Sequence, residues 1–144
     1  MELTLGLLAL VLAAAFTGAA FYINFAEHPA RMQLPIGQAL TQWRPAYKAG
    51  FTMQSSLAAI GAVLAFAAAY RSGDWMWAIG GAVLLANWPY TLFAILPLNN
   101  RLMTTAPEAA NEETRTLLAR WDRLHAGRTV LGAASTLVLL WAAS

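Results

Sequence analysis

Apolar residues run almost unbroken in three stretches, from about Leu3 to Ala26, Ala49 to Tyr70 and Trp75 to Leu96. Each is long enough to cross about 30 Å of hydrocarbon, which takes roughly 20 helical residues. A fourth apolar stretch, Thr129 to Ala143, is too short by itself. Reaching back to Leu124 completes a span and places His125 and Arg128 within, or just inside, the membrane edge. The predicted spans are therefore 3–26, 49–70, 75–96 and 124–143. The first has Glu2 in place of a basic n-region and exceeds the roughly 7–15-residue core of a signal peptide, so it reads as a retained span.

The connections differ in kind. Arg71-Ser72-Gly73-Asp74 predicts a tight turn that pairs the second and third spans as a hairpin. Residues 27–48, with Pro29, Pro35, Gly37 and Pro45, predict a longer loop, and residues 97–123 another. Thr105-Ala106-Pro107-Glu108 matches a capping box with proline in the first turn. The fourth helix is expected to start near Ala106 and to project from the bilayer, about 55 Å long at 1.5 Å per residue. Leu117, Leu118, Trp121, Leu124, His125 and Arg128 recur at helical spacing and predict one face turned into the bundle. Pro89 predicts a kink in the third span. Asn87 beside it either bonds across the bundle or lines a cavity. The fold expected is all-α, an integral membrane four-helix bundle forming one domain over residues 1–144.

Composition agrees. The chain is 59% hydrophobic and 11% charged, against roughly 25% charged in soluble domains. A net charge of +2 with no dense basic run excludes a nucleic-acid surface. Without cysteine there is no disulfide, thiolate metal site, thiol nucleophile or c-type haem attachment. Arg31, Arg44, Lys48, Arg101, Arg115, Arg120, Arg123 and Arg128 fall on one side of the spans and only Arg71 on the other. The positive-inside rule then places both long loops in the cytoplasm and both termini outside, in a membrane of the bacterial inner type.

The loop-side ends of the four spans gather the polar residues. Asn24, Glu27 and His28 end the first, Tyr47, Lys48 and Gln54 border the second, Asn99 and Arg101 follow the third, and Trp121, Asp122, His125 and Arg128 open the fourth. Trp121, His125 and Arg128 are spaced i, i+4, i+7 and share a helical face. Charges at that depth are costly unless paired or hydrated. Glu27, His28, Asn99, Asp122, His125 and Arg128 are therefore the candidate reactive set. Trp43, Tyr47, Trp88, Trp121, Asn24 and Asn87 are the candidate walls and polar contacts for a small apolar substrate. Glu27, His28, Asp122 and His125 form a candidate set for one or two transition-metal ions; a site with no cofactor is the alternative. Interface packing and snorkelling cations are the bland explanation of the same residues.

Three segments resemble the anthrone oxygenase-like family of small membrane proteins. They are Tyr22-Ile23-Asn24-Phe25-Ala26-Glu27-His28-Pro29-Ala30-Arg31, Leu96-Pro97-Leu98-Asn99-Asn100-Arg101-Leu102, and Trp121-x-x-Leu124-His125-x-x-Arg128. The likeness covers nearly the whole chain in the same four-span order. It implies a four-helix membrane bundle and oxidation of a phenolic polycyclic anthrone to a quinone by O₂. In such chemistry His125 or His28 suits a base, Arg128 and Asn99 suit an enolate oxygen, and Asp122 or Glu27 could orient the imidazole. A non-enzymatic scaffold, carrier or partner subunit is the competing class, and homo-oligomerisation stays open. A small-molecule transporter is a third and weaker class: no inverted repeat is visible, although the broken third helix is compatible with one.

Overall fold

Four helical rods make up the structure, a computed structural model that describes residues 2–144, with side chains from Leu3 onward. Rod α1 joins Glu2–Tyr22, a π-helical turn Ile23–Glu27, and His28–Arg31. Rod α2 is Ile36–Ser72. Rod α3 joins Trp75–Leu85, Asn87–Tyr90, a second π-turn Thr91–Ile95, and Leu96–Thr104. Rod α4 is Glu112–Ala142. The described residues form no strand. α1 packs on α2 and α4, and α3 packs on the same two, so the rods form a ring in chain order. α1, α2 and α3 are each long and apolar enough to cross a membrane.

Small residues occupy the seams between rods: Ala9, Ala13, Ala58, Ala65 and Ala68, with Phe16, Trp77, Leu84 and Leu139 filling the gaps. Val11, Phe25, Val63, Phe93, Val130, Leu137 and Trp141 point outward, each more than half exposed. At the other end the core is built from large groups, Leu40, Trp43, Ile95, Leu102, Leu118 and Trp121, so the small-residue seam belongs to the half away from the polar cluster. Helices in lipid pack through small side chains that let backbones approach.

Four boundaries differ from the sequence expectation, one of them the end of α3, which runs past Leu96 and Pro97 to Thr104, inside the loop expected over 97–123. The loop expected over 27–48 shrinks to residues 32–35, because α1 runs on through Pro29 and α2 starts at Ile36. Pro45 sits inside α2. It lies on an exposed face, as does Thr41, whose carbonyl it cannot serve, so water can meet that group. α4 starts at Glu112, about 46 Å long rather than 55 Å. The expected box at Thr105 does not form, because the Thr105 hydroxyl donates to the Arg101 carbonyl and Pro107–Ala109 makes a single 3-10 turn. Asn111 caps instead. Its side chain accepts from the Glu113 and Thr114 N–H groups, while the Thr114 hydroxyl accepts from the Asn111 N–H. The hairpin turn matches its expectation, with Gly73 at φ 74° ending α2 and Asp74 capping α3 through the Met76 N–H.

The π-turns mark an internal repeat. Tyr22-x-x-Phe25-Ala26-x-x-Pro29 in α1 recurs as Tyr90-x-x-Phe93-Ala94-x-x-Pro97 in α3. In each, the N–H just before the proline reaches five residues back, from His28 to Ile23 and from Leu96 to Thr91. Proline cannot donate, and its ring crowds the carbonyl four residues back, so a wider turn relieves the ladder. α2 and α4 likewise share Leu40-x-x-Trp43-x-x-x-Tyr47 and Leu118-x-x-Trp121-x-x-x-His125. Each tryptophan stacks on the ring four residues on, at 4.9 Å in both rods. Arg44 of α2 donates to the carbonyls ending α3, at Met103 and Thr105. Arg115 of α4 donates to those ending α1, at Met32 and Leu34. Cations at helix C-termini satisfy leftover carbonyls and the dipole together. The first helical pair is thus repeated in the second.

Candidate functional site

Trp121 is the hub of the polar end of the ring. Its i, i+4 spacing from His125 stacks the imidazole on one side of the indole at 4.9 Å, and the His28 ring lies 5.8 Å away. Trp43 meets it edge-on at 5.8 Å, and the Arg31 guanidinium sits 5.9 Å from its centre. The indole Nε1–H donates to Asn99 Oδ1 at 2.8 Å. That bond fixes the amide of Asn99, so its Nδ2 is left buried without a partner.

His125 is oriented from α1. Asn24 Nδ2 donates to the Asp122 side chain at 2.7 Å and to the Asp122 carbonyl at 2.9 Å. Asn24 Oδ1 accepts from the Thr129 hydroxyl at 2.8 Å and faces His125 Nδ1 at 3.2 Å. Because that oxygen can only accept, Nδ1 carries the proton and Nε2 keeps its lone pair. Asn24 lies within the π-turn Ile23–Glu27.

A narrow cleft, partly open to the outside, lies beside the hub. Of the residues singled out from sequence, Glu27, Tyr47, Asn99, Trp121, His125 and Arg128 line it. Arg128 is 6% exposed, lies 5.4 Å over the Phe16 ring, and has an unpartnered Nε. No carboxylate among the described residues pairs with it. Gln54, also on the lining, is buried with neither end of its amide bonded.

The other expected residues lie elsewhere. Asn24 and Asp122 sit behind His125 as its support. His28 is buried beside Arg31, its Nδ1 3.4 Å from the guanidinium. Trp43 is fully buried in the core. Asn87 bonds its own helix at the Leu84 carbonyl instead of bridging rods, and with Trp88 it lines a second cleft.

The four side chains read as a metal set are engaged separately, Glu27 with Arg31 and Gln42 and Asp122 with Asn24. Among the described residues no group of three or more His, Asp or Glu is gathered as a metal site requires. Arg31 was not expected at the site, and Gln54, gathered with the polar residues bordering the second span, was not among the candidate site residues. Arg31 is 3% exposed and pairs with Glu27 one turn earlier, a spacing that exists only because the helix continues through Pro29. The Glu27-to-Arg31 interval in the sequence was the available signal.

The chain is similar to known proteins over this region. A family model described as anthrone oxygenase matches residues 43–138, a stretch that includes Tyr47, Asn99, Trp121, His125 and Arg128. A curated relative, an anthrone oxygenase of Claviceps purpurea (strain 20.1), is 37% identical over 110 residues, covering 68% of this chain and 63% of the relative. The match thus spans less than two thirds of that relative's length. No solved structure matches the chain.

Proposed function

The chain belongs to the anthrone oxygenase family, and from that premise we propose that it is an integral membrane oxygenase acting on a small phenolic aromatic. The class of reaction is oxidation of an activated ring CH₂ to a ketone by O₂. For the parent anthrone, C₁₄H₁₀O and O₂ give C₁₄H₈O₂ and H₂O. His125 Nε2 takes a proton from the acidic CH₂. The negative charge moves onto the ring oxygen as an enolate, held by Arg128 and by the free Nδ2 of Asn99. The electron-rich carbon then adds O₂, and the resulting hydroperoxide loses water to leave the second carbonyl. A base with a lone pair and donors placed where charge develops are the two things such a reaction asks of a protein.

The observation that carries this reading is Arg128, a buried cation with no carboxylate partner among the described residues. A charge buried alone is expensive. The anionic oxygen that forms on the bound substrate offsets that cost. Asn24 and Asp122 act as positioning residues behind His125, and Tyr47 and Trp121 are walls for a flat ring.

The same reading makes the bundle a four-span membrane domain. α4 packs against α1 and α3 and carries Val130, Leu137, Leu140 and Trp141 on its outer face. It would therefore cross with them, His125 and Arg128 lying at the membrane edge. Lys48, Arg101, Arg120 and Arg123 lie at the site end and Arg71 at the other, which supports N-out, C-out with the site on the cytoplasmic side.

The test is turnover in proteoliposomes, following O₂ uptake and quinone absorbance with anthrone as substrate. Wild-type protein should consume one O₂ per quinone formed, and His125→Ala should abolish this while remaining folded and inserted. Wild-type protein without turnover, or His125→Ala with wild-type turnover, refutes the reading.

A further inference from the structure

A second cleft opens through the side of the ring between α2 and α3. Phe51, Trp88 and Leu92 form its walls, and Asn87, Thr91 and Arg128 its floor. The walls face outward, with Phe51, Trp88 and Leu92 39%, 46% and 48% exposed. The floor is buried, with Asn87, Thr91 and Arg128 1%, 4% and 6% exposed. The Trp88 indole spans the mouth, its Nε1–H directed at the Ser55 carbonyl on α2 at 3.4 Å.

Three floor atoms have no partner among the described residues: Asn87 Oδ1, Thr91 Oγ1 and Arg128 Nε. The Asn87 amide is fixed by its Nδ2–H donating to the Leu84 carbonyl at 3.0 Å, so the free end is an acceptor. Thr91 opens the π-turn of α3, the kind of irregular turn often found at functional sites. An acceptor, a hydroxyl and a cationic donor are thus left unmet at the bottom of an apolar slot. Lipid chains carry nothing to satisfy them, and unsatisfied polar groups in hydrocarbon are costly. A hydroxylated aromatic satisfies all three: its ring lies against Phe51 and Trp88, its O–H donates to Asn87 Oδ1, and its oxygen accepts from the Thr91 hydroxyl and from Arg128 Nε–H. Arg128 also lines the first cleft, beside His125.

We propose that this cleft is a lateral docking site through which a phenolic aromatic passes from the bilayer to the pocket, handed on by Arg128. The proposal rests on the phenolic-substrate reading of the pocket, but its test reads binding at the cleft. The probe is 1,8-dihydroxyanthraquinone, added to proteoliposomes. Quinones quench tryptophan fluorescence on contact, and the Trp88 contribution is isolated by comparison with Trp88→Phe. Quenching should shrink in Trp88→Phe. The probe should bind roughly tenfold more weakly to the double variant Asn87→Leu/Thr91→Val, which keeps the slot's shape but removes two hydrogen bonds. Circular dichroism and size exclusion check that this variant folds. Unchanged quenching in Trp88→Phe, or equal affinity in the double variant, overturns the proposal and leaves the cleft as a surface for acyl chains. Anthrone turnover in the same liposomes reads the pocket separately. Trp88 quenching without turnover upholds the cleft and sinks the pocket reading, and turnover without Trp88 quenching does the reverse.

Discussion

Asn24 Oδ1 on α1 receives the His125 Nδ1–H from α4 across 3.2 Å, and this one contact decides which imidazole nitrogen keeps its lone pair. Asn24 is held in turn by the Asp122 carboxylate, so a carboxylate, an amide and an imidazole stand in series. The amide passes orientation without placing a charge against the ring. Asn24→Leu should therefore lower kcat by roughly 10–100-fold, the usual loss when a ligand's orienting partner is removed. KM should change little, since Asn24 does not line the cleft. Steady-state kinetics that show KM rising with kcat intact would instead mark Asn24 as a packing residue.

The Arg128 guanidinium carries a fork of donors that an ammonium lacks. Arg128→Lys should lose at least tenfold in kcat/KM, and Arg128→Gln should lose more, because the developing negative charge goes unmet. Equal activity of the Lys variant and wild type would mean that only a diffuse positive charge is used.

Glu27 and Arg31 form an ion pair whose cation is almost wholly buried. Glu27→Gln takes away its carboxylate and leaves Arg31 only amide acceptors, Gln42 among them, which should cost at most about 3–5 kcal/mol. Glu27→Gln/Arg31→Met removes both charges and should be clearly more stable than the two single losses summed. Thermal unfolding of the three variants in one detergent measures the coupling.

Gly127 lets α4 approach α3. A Cβ there would fall against the Tyr90 hydroxyl, which donates to the Leu124 carbonyl at 2.7 Å. Gly127→Ala should destabilise by about 1–3 kcal/mol through overpacking. Gly18→Ala, where nothing lies within 4 Å, is the matched control and should hold or raise the melting temperature, since alanine is the better helix former.

Apolar run length made three rods legible, and Gly73-Asp74 made their hairpin legible, because both are local signals. The full reach of α1 and α2 was not. Pro29 and Pro45 read as breakers, yet one follows a π-turn that absorbs the lost bond and the other faces outward, where water replaces it. Misreading Pro29 also hid Arg31, since its pairing with Glu27 requires an unbroken helix. At the site, the shared face of Trp121, His125 and Arg128 followed from spacing alone. The role of Asn24 did not, because it depends on how α1 and α4 are docked. The repeat of Tyr22-x-x-Phe25-Ala26-x-x-Pro29 at Tyr90 was present in the sequence. A search for inverted repeats passes over it, because the two copies run in the same direction.

The central claim is that Arg128 holds an anionic oxygen of a phenolic ligand inside the cleft, and the ligand's own spectrum reports on it. Ionised 1,8-dihydroxyanthraquinone absorbs at longer wavelength than the neutral form. In proteoliposomes at neutral pH, the dye bound to wild-type protein should show the red-shifted band, and Arg128→Gln should return it to the neutral spectrum without abolishing binding. A wild-type complex with the neutral spectrum, or an equal red shift in Arg128→Gln, would contradict the account.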